Sequence, residues 1–201
     1  MSRRLTAQFV EAWRTAHPGD TIITRDLATT TLPAITDDWM ATYSDPSLWT
    51  PAQRQYLALS DELIHELFAA NVIVIGAPMY NLSISAQLKG WIDHVVRVGR
   101  TVAYDERGRH GLLGGRRVVV LSARGGSFRP GTPPVTADFQ EPYLCAILQF
   151  MGLTDVTFVH ADNQSRTPAG AESLAAALEN VSHLVSHMTQ EVVSHVRTEA
   201  H

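Results

Sequence analysis

Short apolar runs, each bounded by polar or turn residues, recur along the chain at residues 21–24, 72–76, 117–122 and 156–160. The second and third are almost unbroken Val, Ile and Leu, the pattern of strands covered on both faces, as in parallel sheets. Between the runs the apolar spacing lengthens to a helical period. Residues 51–70 put Tyr56, Leu59, Leu63, Ile64 and Leu67 on one side, with Thr50 placed as a cap and Pro51 in the first turn. Residues 84–99 turn Leu88, Ile92, Val95 and Val96 inward, Pro142 opens a helix that ends near Gly152, and residues 169–198 supply a long last helix. Strands alternating with helices in this way predict an α/β protein, a doubly wound parallel sheet with helices on both faces.

The chain opens on a helix in which Leu5, Phe9, Val10 and Trp13 share a face, with no strand before it. A doubly wound fold normally starts with a strand that feeds a phosphate-binding loop. Residues 28–50 lack a clear period and carry Trp39, Tyr43, Pro33, Pro46 and Trp49, so they read as a long loop of the kind that covers or serves a site. Residues 99–116 are glycine-rich around a strand-like Thr101-Val102-Ala103, and residues 125–134 form a Gly/Pro-rich surface loop.

Composition narrows the class. The 201 residues, 45% apolar and 18% charged, predict one globular domain spanning 1–201. Sixteen basic against 20 acidic residues, with no basic stripe, leave nucleic acid without an electrostatic footprint. The single cysteine, Cys145, reads as a buried small hydrophobe and fits a reducing compartment. No apolar run approaches the ~18 residues of a membrane span, and MSRRLTAQFVEAW has no signal-peptide core, so the expectation is a soluble cytoplasmic protein.

Chemistry is expected at the carboxyl ends of strands, where open α/β sheets bind ligands. Two strand ends carry unusual loops, Ala77-Pro78-Met79-Tyr80-Asn81-Leu82 and Ser122-Ala123-Arg124-Gly125-Gly126-Ser127-Phe128. Paired glycines let backbone N–H groups approach a flat heteroaromatic ring, and Asn81 can donate and accept at once. No G-x-S-x-G elbow and no GxxxxGK[ST] loop occurs, so Ser122 and Ser127 have no support as nucleophiles. His183, His187 and His195 share a helix face, but no cysteine completes a metal set, and they read as solvated surface, as does His110.

The stretch APMYNLSISAQLKGWIDHVVRVGRTVAYDERGRHGLLGGRRVVVLSARGG, residues 77–126, resembles the FMN-dependent NADH:quinone oxidoreductases, or azoreductases, of the flavodoxin-like fold. A weaker likeness extends over residues 2–190. The resemblance implies FMN lined by Met79, Tyr80, Asn81 and Leu82, with Ala123, Arg124, Gly125 and Gly126 on the pyrimidine side. Leu82 and Ala123 stand where the family commonly has Phe and Ser, which removes no backbone donor. It also implies ping-pong two-electron reduction of quinones and azo compounds, with NADH or NADPH as donor and hydride passing through flavin N5. Tyr104 and Phe128 would wall the second substrate, no side chain need act as acid or nucleophile, and no metal is implied.

Of the family's phosphate loop only Ser2 remains, and two or three lost charge-assisted bonds would weaken FMN by about two to six orders of magnitude. A missing central strand would also leave its neighbours ~9.6 Å apart with unpaired backbone. The reading drawn is that Met1 is an internal start of a longer frame, the alternative being a short form. Two rival functions follow, a non-enzymatic binding module without tight FMN and an electron-transfer flavodoxin. The family's site lies at a dimer interface, so a homodimer is expected, closed by the 28–50 loop with Trp39, Tyr43 and Trp49 and by the 99–116 excursion.

Overall fold

A computed structural model of the chain describes residues 1–43, 47, 49–128 and 138–199; the side chains of Tyr43, Tyr56 and residues 192–199 lie outside that description. Three parallel strands, β1 (Val72–Pro78), β4 (Arg117–Ala123) and β5 (Asp155–Ala161), form a sheet in the order β1-β4-β5. Their apolar runs are those the sequence predicts. Alternate residues face opposite layers. Ile73, Ile75, Ala77, Val118 and Val120 meet the helices α3 (Pro51–Ala69), α4 (Ala86–Val95) and α5 (Glu141–Phe150). Val119, Leu121, Val159 and Ala161 meet α1 (Ser2–Ala16) and α6 (Ala169–Glu199). The helix starts obey their capping chemistry: Thr50 and Gln53 form a reciprocal capping box ahead of Pro51, and Ser85 caps α4.

Residues 21–24 join no sheet, contrary to their strand-like pattern, and Ile23 is 60% exposed. A strand is defined by its partner, and β1, β4 and β5 pair only with one another. The segment is instead fixed at its two ends. Asp20 accepts from the Trp13 indole, Asp26 takes both guanidinium nitrogens of Arg3, and Arg25 reaches Glu62 and Glu66 on α3.

The 28–50 stretch is not purely loop. It holds the short helix α2 (Asp37–Met40), capped by Thr36, and a 3-10 turn, Ala41–Tyr43. Trp39 is buried against His94, ring centroids 4.7 Å apart, while His94 Nε2 bonds the Pro33 carbonyl. Trp39 therefore belongs to the core and offers no free interface, and the Trp49 indole donates to the Thr42 carbonyl.

The glycine-rich excursion is a hairpin, β2 (Val102–Asp105) against β3 (Gly108–Gly111). Its base is locked beneath α5, where Leu113 N–H donates to the Met151 carbonyl and Arg109 lies 4.1 Å over the Phe150 ring. A Cβ at Gly111 would stand 2.0 Å from the backbone of Gly152, so the contact is backbone on backbone and demands glycine.

Candidate active site

The two loops singled out in the sequence meet. Pro78 and Ala123 are in register at the ends of β1 and β4, and Met79 N–H donates to the Ala123 carbonyl at 2.9 Å. Beyond that bond the first rim is a tight turn: Tyr80 and Ser83 exchange both backbone hydrogen bonds, at 2.9 and 3.0 Å, around Asn81 (φ 48°) and Leu82 (φ 69°). Both central residues are left-handed, as such turns require. Asparagine tolerates this; leucine pays roughly 1–2 kcal/mol for it. The Leu82 carbonyl is held by Phe139 N–H at 3.0 Å, and the side chains of Tyr80 and Leu82 stand 60% and 42% exposed.

The second rim is built differently. Arg124 is buried, its Nε on Asp162 at 2.7 Å and its Nη1 on Asp138 at 3.0 Å, with the Phe128 ring 5.4 Å from the guanidinium carbon. Its side chain is turned onto Asp162 and Asp138 and its backbone is committed: Arg124 N–H bonds Ala161 and its carbonyl accepts from Gln164. The carbonyls of Gly125 and Gly126 are tied back to Ser165 and Asn163. Their N–H groups, like those of Asn81 and Leu82, have no acceptor among the described residues. Phe128 packs on Gly126; residues 129–134 of that loop lie outside the described residues.

Sequence reasoning missed the segment that joins the rims. Just ahead of α5, Asp138 accepts from Gln140 and Glu141 N–H through Oδ1, while its Oδ2 takes Arg124. Phe139 holds Leu82, Gln140 Nε2 donates to the Ala77 carbonyl, and Glu141 Oε2 lies 2.8 Å from His160 Nε2. His160 Nδ1 in turn meets Ser122 Oγ at 2.6 Å across the β4–β5 ladder. The only advance signal was a histidine and three carboxylates beside predicted strand ends, with no spacing that marks them as partners.

Ser2 is buried at the start of α1 over the end of β1, and a Cβ on Gly76 would meet its carbonyl at 4.0 Å. Arg3 next to it is charge-paired with Asp26 and lies within electrostatic reach of Tyr80. Tyr104, by contrast, sits exposed on the hairpin in register with Arg109, which packs on Phe150 at the end of α5 away from Glu141. Cys145 is exposed on α5 rather than buried, and partial burial followed by the Glu141 charge push its thiol above the usual value. Among the described residues no group of three His, Cys, Asp or Glu could hold a metal ion, and no helix is long and apolar enough to cross a membrane.

The sheet order and the paired loops at its carboxyl edge define an open α/β class, and a family model described as a flavodoxin-like fold matches residues 1–185. An FMN-dependent NADH:quinone oxidoreductase of Trichormus variabilis is 44% identical over 190 residues, covering 93% of this chain and 92% of that protein. One from Azotobacter vinelandii is 45% identical over 163 residues, covering 81% and 80%. The solved azoreductase AzrA superimposes with a TM-score of 0.86 at 28% identity over 92% of this chain and 91% of that one. The chain belongs to the flavodoxin-like family and, within it, to the FMN-dependent NADH:quinone oxidoreductases.

The residues present fit that cofactor at its ring. Four uncommitted amides on two adjoining rims match a planar edge of alternating carbonyl and nitrogen acceptors. At the phosphate end the chain supplies Ser2 and the open amides of the first turn of α1, where an anion is favoured.

Proposed function

We propose that this chain is an FMN-dependent oxidoreductase that passes two electrons from NADH to quinones or azo compounds. When bound, FMN supplies the two-electron carrier chemistry. The observation that carries the reading is the Met79–Ala123 hydrogen bond, which sets two donor-lined rims side by side at the strand ends to which the resemblance assigns the cofactor. Asn81, Leu82, Gly125 and Gly126 orient the ring through backbone amides, and Met79 and Tyr80 give it an apolar and aromatic bed. Ser2 and the first turn of α1 receive the phosphate. Phe128 walls the ring on the side of the second rim. None of these groups needs to give up or accept a proton covalently, which suits a site where binding and orientation are the protein's whole contribution.

The same reading takes the chain as one flavodoxin-like domain over residues 1–201 that works as a cytoplasmic homodimer. Tyr104 supports the dimer as an exposed ring on the hairpin at the far end of α5 from Glu141, open to a second copy. Exposed Leu82, Phe139 and Met40 and half-buried Tyr143 supply apolar surface beside the site for such a contact. The non-enzymatic alternative has no support from the relatives, each of which carries an oxidoreductase name.

Purified protein titrated with FMN should quench flavin fluorescence and then oxidise NADH when benzoquinone is added. Protein that leaves flavin emission unchanged, or binds FMN without consuming NADH, defeats the proposal.

A further inference from the structure

His160 belongs to no rim, yet it ties both together. Its Nε2 faces the Glu141 carboxylate at 2.8 Å and its Nδ1 faces Ser122 Oγ at 2.6 Å. With Glu141 ionised, the partners assign the proton to Nε2 and leave Nδ1 to accept from the Ser122 hydroxyl. Ser122 directly precedes Ala123, whose carbonyl anchors Met79. Glu141 directly follows Gln140, Phe139 and Asp138, which hold Ala77, Leu82 and Arg124. Resting on the flavin reading above, we propose that His160 is a positioning residue: through Ser122 and Glu141 it couples a proton to the spacing of the two rims, and charging it loosens the grip on the cofactor.

The physical reason is a conflict of donors and charges. A second ring proton forces Ser122 Oγ to become an acceptor at Nδ1 and to find a new place for its own hydrogen in a site that is 1% exposed. It also sets a second cation beside Arg124, whose Nη1 lies 3.9 Å from the same Glu141 oxygen. The groups around His160 are Arg124 after β4, Glu141 on α5, Asp162 after β5, and, across the groove along β5, His183 and His187 of α6. Burial and then the Arg124 charge hold His160 below the ordinary histidine value against the opposing pull of Glu141 and Asp162. The unfolded chain therefore takes up the proton first, and the fold loses stability as pH falls below about 6.5. A cofactor that needs the rims fixed prefers the neutral ring, so it binds less tightly once pH falls through the folded His160 value, which lies below the ordinary one.

The test is the FMN dissociation constant, read by flavin fluorescence from about pH 7.5 downward, past the ordinary histidine value to the lowest pH at which the fold survives, for wild type, His160→Gln, His160→Leu and Glu141→Gln. Glutamine keeps an amide donor for Glu141 and a carbonyl for Ser122 without a titrating proton. One proton can change affinity by at most about tenfold per pH unit. The FMN phosphate itself changes charge near pH ~6, so the reading is the difference between proteins. As pH falls, wild type should lose affinity more steeply than His160→Gln, by up to about tenfold per pH unit once the ring titrates. At the highest pH His160→Gln should bind like wild type while His160→Leu binds more weakly, and Glu141→Gln should move the fall to lower pH. Equal pH slopes in wild type and His160→Gln overturn the coupling and leave the flavin reading standing. Failure of wild type to bind FMN across the whole pH range overturns both.

Discussion

The two rims of the site lie one hydrogen bond apart and are held by opposite means. The 79–82 rim is local: a reciprocal Tyr80–Ser83 turn carries two left-handed residues, exposes its side chains and touches the rest of the fold through the Leu82 carbonyl. The 123–126 rim is non-local, its shape fixed by Arg124 inside a cage of carboxylates drawn from after β5 and from the start of α5. The first stores strain in the backbone; the second stores charge in the interior. A site with one rim of each kind can keep its amides uncommitted on both sides, because neither rim uses its free N–H groups to hold itself together.

The contrast breaks most sharply at Arg124. Arg124→Met removes the buried guanidinium that Asp162 and Asp138 share and should cost about 3–5 kcal/mol, as removal of one member of a buried ionic set does. Urea unfolding measures it, and a loss below about 1 kcal/mol, the scale of an exposed pair, would show that charge does not hold this rim. Asp138→Ala should be milder, about 1–3 kcal/mol, the scale of lost hydrogen bonds to a charged group, and should weaken FMN binding through both rims at once. At the first rim the sign reverses. Leu82→Gly relieves the left-handed conformation at little cost in burial and should raise stability by up to about 1 kcal/mol, seen as a later urea midpoint; destabilisation there would mean the leucine side chain, not the turn, supports the rim.

What the sequence disclosed follows the same division. The strands at 72–76, 117–122 and 156–160, the Thr50–Pro51 helix start and the position of both rims are local patterns, written in period, caps and paired glycines. Residues 21–24 carry a strand's composition but have no ladder partner, and composition cannot supply one. Family likeness assigns Arg124 to the second rim, yet the direction of its side chain depends on Asp162 and Asp138, residues far from it in sequence. Trp39 and Cys145 exchanged their expected surroundings for the same reason: burial is decided by which helix face meets which neighbour, and a single aromatic or thiol does not reveal that. Ser122, Glu141 and His160 become legible as a unit only once the ladder sets Ser122 opposite His160.

The register of β1 against β4 has one more effect, on the tempo of amide exchange. Arg117 N–H reaches Asn71 and Met79 N–H reaches Ala123, so Ile73, Ile75 and Ala77 direct their peptide groups toward β4. Those of Val72, Val74 and Gly76 point the other way, to no partner among the described residues. Deuterium should enter this strand in a saw-tooth, alternate amides labelling early and late, so that a single stretch of backbone reports one sealed flank and one accessible to water.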